Sequence, residues 1–199
     1  MNISKTAAIE VLALQSVASN SVVASAAQDV STKLAALVCI HFGRRAAAAL
    51  TEGVEFRIEG SSKASGDGHW FPLASIKTAI AACESEAVTG NNAAGQAVLT
   101  CASTTNLLVG NIVFIDNTTI GNSEWGRIKT VTTNTSITLE DNLLNAQNNP
   151  APTIYNGAEM YALPLDLTAV TRLRVVVNAS NTGQAVAVEV FMVTGDSIS

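Results

Sequence analysis

Charge is scarce in this 199-residue chain: Asp, Glu, Lys and Arg together make up 14%, against a usual fraction of about 25%. The 11 Lys and Arg are scattered, and only Arg44-Arg45 and Arg172-x-Arg174 come close together. A nucleic-acid surface needs a basic stripe to displace counterions. A net charge of −5 without such a stripe excludes that class of partner. The two basic pairs read as solvated charges at strand ends. Cysteine is equally sparse. Cys39, Cys83 and Cys101 are odd in number and far apart, which is neither a disulfide framework nor a CxxC site. They read as buried structural thiols, and three free thiols fit a reducing assembly compartment. The chain has only two histidines. Cys39 and His41 share one strand face, but two donors do not make a zinc site. Long apolar runs are absent too. The longest, ending at Ile40, falls far short of the ~20 residues of a membrane helix. Near the N-terminus, Glu10 and Gln15 interrupt what would have to be an unbroken signal-peptide core, so no signal peptide is expected.

What is present is apolarity, at 48% hydrophobic residues. That excludes disorder, and with so little charge it implies a surface much of which does not face solvent. The patterning is that of strands. Val54, Phe56 and Ile58 alternate with Glu55, Arg57 and Glu59, the mark of a half-buried strand. A turn cluster over 61–68 leads to a strand over 69–77, which Pro72 assigns to an edge or a bulge. Further strands are expected over 6–15, 21–25, 33–42, 167–178 and 184–193. In the third, Val38, Ile40 and Phe42 line one face and Ala35, Leu37 and Cys39 the other. The last strand is also apolar on both faces, with Glu189 alone in the stripe of Ala187, Phe191 and Val193. Strands apolar on both faces are expected to be covered on both sides. Short helical turns are possible at 46–50 and 76–86.

Composition shifts in the middle: of 16 Asn, 12 fall between Asn91 and Asn156. Strands are expected there over 97–102, 112–116, 125–132 and 135–140, with a stiff exit at 148–152 and a returning strand over 160–163. Short strands with polar turns suggest a small barrel or curled sheet.

No motif identifies a reaction. Glu84, Glu86, Asp116, Glu140, Asp141 and Asp166 all sit beside turn residues and read as solvated loop acids. Asp67 and His69 lie in a Gly-rich turn, and no G-x-S-x-G elbow accompanies them. P-loop, GxGxxG and EF-hand patterns are absent. Trp125 follows Asn122-Ser123-Glu124 and is a candidate exposed aromatic, with a core or interface role the simpler reading.

Three segments carry a resemblance: VEFRIEGSSKASGDGHWFPLASIKT (54–78), LLVGNIVFIDNTTIGNSEWGRIKTVTTNTSITLEDNLLNA (107–146) and LDLTAVTRLRVVVNASNTGQAVAVEVFMVTGDSIS (165–199). They resemble structural proteins of tailed-bacteriophage virions. The middle one is similar to small β modules with a G-[ND]-x-[IV]-[FY]-[IV] strand and an SITLED-like hairpin. The resemblance implies a virion protein, assembled in the host cytoplasm, that works by surfaces rather than by a catalytic set.

The expectation is therefore an all-β protein. Residues 1–86 and 158–199 form a jelly-roll-like antiparallel sandwich, and 87–157 an inserted, barrel-like β subdomain. The expected role is non-enzymatic: a capsid decoration or cement protein bound to the major capsid protein or other virion proteins, and self-associating. Tail or head–tail roles and a carbohydrate or host-recognition module are the alternatives. No cofactor, metal, nucleic acid or membrane is expected as a partner. Leu37, Cys39, Trp125 and Phe191 are the expected interface residues.

Overall fold

The computed structural model describes residues 6–66, 69–148 and 152–196. Its strands, in chain order, are β1 (Ile9–Val17), β2 (Val22–Ala24), β3 (Gln28–Asp29), β4 (Lys33–Arg44), β5 (Glu55–Ser61), β6 (Phe71–Lys77), β7 (Ser85–Ala87), β8 (Val98–Thr100), β9 (Ile112–Asp116), β10 (Glu124–Thr132), β11 (Ser136–Leu139), β12 (Thr153–Tyr155), β13 (Glu159–Asp166), β14 (Arg172–Asn178) and β15 (Val186–Asp196). One turn of 3-10 helix, Ile120–Asn122, is the only helix among the described residues. The helical turns expected at 46–50 and 76–86 do not form. The chain bends over 45–48 and is irregular at Ala49 and Leu50, and β6 runs through Ile76 and Lys77 before irregular chain takes over. Each stretch is too short to repay helix nucleation.

The body is a jelly roll. One sheet has the order β1-β15-β4-β13, the other β2-β14-β5-β6, with β3 beside β2 on β14. Counting β2 and β3 as one interrupted strand leaves eight. The first then pairs with the last, the second with the seventh, the third with the sixth and the fourth with the fifth. This is one long antiparallel hairpin rolled into two facing sheets. Alternation supplies the core between them. Val38, Ile40, Phe42, Val188, Val190 and Met192 meet Phe56, Ile58, Val175 and Val177, all fully buried. Pro72 lies in edge strand β6 opposite a break in register, so both ways of accommodating a missing ladder donor are used. The strand expected over 167–178 starts only at Arg172. Val170 N–H donates to Leu167 C=O instead, a turn that aims both apolar side chains into the core.

Between β6 and β13 the chain builds a six-stranded sheet of order β7-β12-β9-β10-β11-β8. A bridge between Val88 and Cys101 joins its two edges and curls it. It encloses its own core of Leu99, Val113, Ile115, Ile128, Ile137 and Ile154. This sheet begins at Ser85, so β7 belongs wholly to it. Burial pushes the Cys101 thiol in this core up to about 11. Of the exit segment expected at 148–152, residues 149–151 lie outside the described residues, as do Asp67 and Gly68 of the Gly66–His69 turn.

Candidate docking face and cleft

The outer face of the β1-β15-β4-β13 sheet carries the residues of interest. Cross-strand register sets Cys39 against Phe191 and Ala162, Leu37 against Val193 and Pro164, and His41 against Glu189 and Met160. Partners in register share a face. The face is therefore largely apolar, with charge at its His41–Glu189 step, at Glu10 opposite Phe191 and at Asp166 opposite Ala35.

The inserted sheet covers only one end of this face. Gly43 in β4 lies directly under the Phe114 ring, where a Cβ would come within 2.5 Å of the ring carbon. Trp125 packs against both Phe114 and His41, with ring centroids 4.9 and 5.3 Å apart respectively. The Trp125 indole N–H donates to the Phe42 carbonyl at 3.0 Å. Arg45 Nε donates to both Asp116 oxygens at 3.0 and 3.1 Å. Asp116 is thus a half-buried ion-pair partner and not the solvated loop acid expected from its neighbours. Burial pushes its carboxyl up, and the Arg45 bonds pull it down by less.

Beyond the insertion the face is open. Leu37 and Met160 are each 40% exposed, Ala35 and Ala162 are exposed, and Cys39 and Phe191 are half-buried. Full coverage of the second face of β4 is therefore not what this chain achieves by itself. The ring contact of Trp125 with His41 marks the edge of this cover, and the apolar stripe runs on uncovered to Leu37.

At the boundary lies a cleft of about 340 Å³, lined among others by His41, Glu124, Trp125, Asn145, Glu189 and Phe191. His41 Nδ1 lies 3.3 Å from Glu189 Oε2, and the His41 ring also meets the Phe191 ring at 5.8 Å. The opposite wall is held rigid by buried polar bonds. Glu124 accepts from Leu144 N–H at 2.8 Å, Asn145 N–H at 3.3 Å and Gln147 Nε2 at 2.7 Å. Gln147 Nε2 also donates to the Asn122 carbonyl, and its oxygen accepts from Asn117 Nδ2.

Trp125 and Phe191 thus converge on one cleft through His41, while Leu37 and Cys39 lie further along the same face. The sequence marked Glu189 only as a lone acid in an apolar stripe. Its meeting with His41 follows from register, which single-strand alternation does not give. Glu124, Leu144 and Asn145 carried no signal, because loop closure by Gln147 brings them there. Two basic readings also change. Arg44 is 2% exposed and donates to the Ala81 and Ala48 carbonyls. Arg174 pairs with Glu59 at 2.7 Å and stacks 4.3 Å from the Trp70 centroid. Loop carbonyls close over Arg44, and the neighbouring strand and Trp70 hold Arg174, so these charges are partnered and not simply solvated.

Among the described residues no three His, Cys, Asp or Glu side chains converge as metal ligands, and no helix is long and apolar enough to cross a membrane. No family model and no curated protein matches the sequence. Among solved structures, the chain is similar to the SPBc2 prophage-derived protein YomS, with a TM-score of 0.33 and 10% identity over 98% of this chain and 96% of that one. It is also similar to a chain of the infectious bursal disease virus Gx strain, with a TM-score of 0.27 and 10% identity over 98% of this chain and 40% of that one. A third likeness, to the infectious bursal disease virus VP2 subviral particle, has a TM-score of 0.23 and 8% identity over 98% and 42% of the two chains. Likenesses this low assign no function.

Proposed function

We propose that the chain is a non-enzymatic structural protein of a virion, a decoration protein that docks on the major capsid shell. The open half of the outer sheet face carries this reading. Leu37 and Met160 stand exposed beside Cys39 and Ala162, and on β13 the charge stays at the patch's edge, where Asp166 faces Ala35. Interface cores are depleted in charge and more apolar than the rest of a protein surface. A jelly roll supports it further, since a rigid two-sheet body holds such a face in shape before a partner arrives. Self-association of copies around the shell belongs to the same reading.

The test is co-sedimentation of purified protein with shells that lack it. Wild-type protein is expected to bind. Leu37→Asp, which places a charge on an already exposed position, is expected to weaken binding at least about tenfold while leaving the fold intact. Binding to tails or to head–tail connectors in place of shells would move the protein elsewhere in the particle. Binding to glycans with no affinity for any particle would replace the structural reading with host recognition.

A further inference from the structure

We infer that the cleft between the β15–β4 surface and the inserted sheet binds a basic side chain, a guanidinium before an ammonium, presented by an extended segment of a partner protein. This inference does not rest on the virion reading. It starts from Glu189, whose carboxylate is 18% exposed on an otherwise apolar stripe. Its Oε2 faces His41 Nδ1, and among the described residues its Oε1 accepts no hydrogen bond. The side chain lines the cleft and keeps some exposure, so a ligand's N–H can replace water on it.

The surroundings select the charge of the ligand. The ionisable residues lining the cleft are Glu124, Glu189 and His41, and neither Lys nor Arg lines it. Glu10 adds a further acid, standing opposite Phe191 on the same face. Glu124 already takes three N–H donors, which leaves Glu189 as the carboxylate available to a ligand. Trp125 and Phe191 both line the cleft and both meet the His41 ring. Aromatic side chains beside a carboxylate suit a flat cation, which offers two parallel N–H groups to the acid while its apolar faces lie against the rings' edges. A sugar is less well served. Trp125 spends its indole N–H on the Phe42 carbonyl, and the cleft's carboxylate favours a cation over a neutral ring.

The test uses the isolated full chain, with no particle present. N-acetylarginine amide is titrated while the indole N–H resonance of Trp125 is followed, assigned with a Trp70→Phe variant and held at constant ionic strength. A saturable shift is expected, with a Kd on the order of 10 mM for so small a probe. Glu189→Gln is expected to weaken it at least about fivefold. N-acetyllysine amide should bind several-fold more weakly, and N-acetylnorleucine amide should not bind. Three outcomes would overturn the inference: no saturation up to about 100 mM, equal binding by the norleucine probe, or binding that survives Glu189→Gln. Saturable binding of a neutral maltooligosaccharide in place of arginine would make the cleft a sugar site. None of these outcomes bears on whether the chain docks on a shell through Leu37.

Discussion

Gly43 and Phe114 lie in direct contact across two separate cores: a Cβ at Gly43 would meet the Phe114 ring at 2.5 to 2.8 Å. The ring is fully buried, yet it belongs to the core of neither sheet system. It is the plug between them, and burying it is worth about 1.5–3 kcal/mol. Gly43→Ala is expected to destabilise the protein by about 1–3 kcal/mol, because the ring must leave its seat. Adding Phe114→Leu should recover part of that loss. Additive losses in a double-mutant cycle, read by urea unfolding, would mean that the two residues do not share a contact.

Gln147 is fully buried and serves Asn117, Asn122 and Glu124 together. Gln147→Ala is expected to cost about 2–4 kcal/mol, since buried partners are left unsatisfied. It should also free Leu144 and Asn145 from the cleft wall. Amide hydrogen exchange at these two residues is the measurement. Protection unchanged from wild type would place the rigidity of the loop elsewhere.

Asp116 gives a pH signature whose sign separates burial from ion pairing. Burial raises its carboxyl above 3.8, with Arg45 opposing. The native state then holds the proton longer than the unfolded chain does. Stability contributed by this group falls as pH rises from 3.8 to the raised native value, and the penalty is complete above it. Asp116→Asn removes that penalty. The variant should therefore gain stability relative to wild type on going from about pH 3 to about pH 7. A relative loss over the same interval would show that the Arg45 pair outweighs burial.

The inserted sheet has a core of its own, and among the described residues none between Val88 and Ile154 contributes to the core of the jelly roll. Replacing residues 85–156 with a short Gly/Ser bridge is expected to leave a folded body that unfolds cooperatively, with His41 and Phe191 newly exposed. Circular dichroism with thermal unfolding checks this. Loss of the cooperative transition would show that Phe114 and Trp125 are needed to hold β4 in place.

The strands most legible in the sequence were those whose alternation faces a single core. Ile112–Asp116 appears as expected, and the pattern of Val54 to Glu59 places Phe56 and Ile58 inside. Three-residue strands such as Ser85–Ala87 and Thr153–Tyr155 escaped, because two or three residues carry no period. Arg44 looked solvated because it follows an apolar run, but loops from Ala48 and Ala81 close over it. The cleft was half legible. Trp125, Phe191 and the lone Glu189 stood out by type. Their meeting depends on the β15–β4 register and on where a distant insertion folds back, which are contacts between segments far apart in the chain.

Cryo-electron microscopy of the virion proposed to carry this chain tests the central claim most directly. The account predicts the chain on the capsid shell, with Leu37, Phe191 and Met160 buried against a neighbouring chain. Absence of the chain from the particle, or its presence with these three side chains facing solvent, would contradict it.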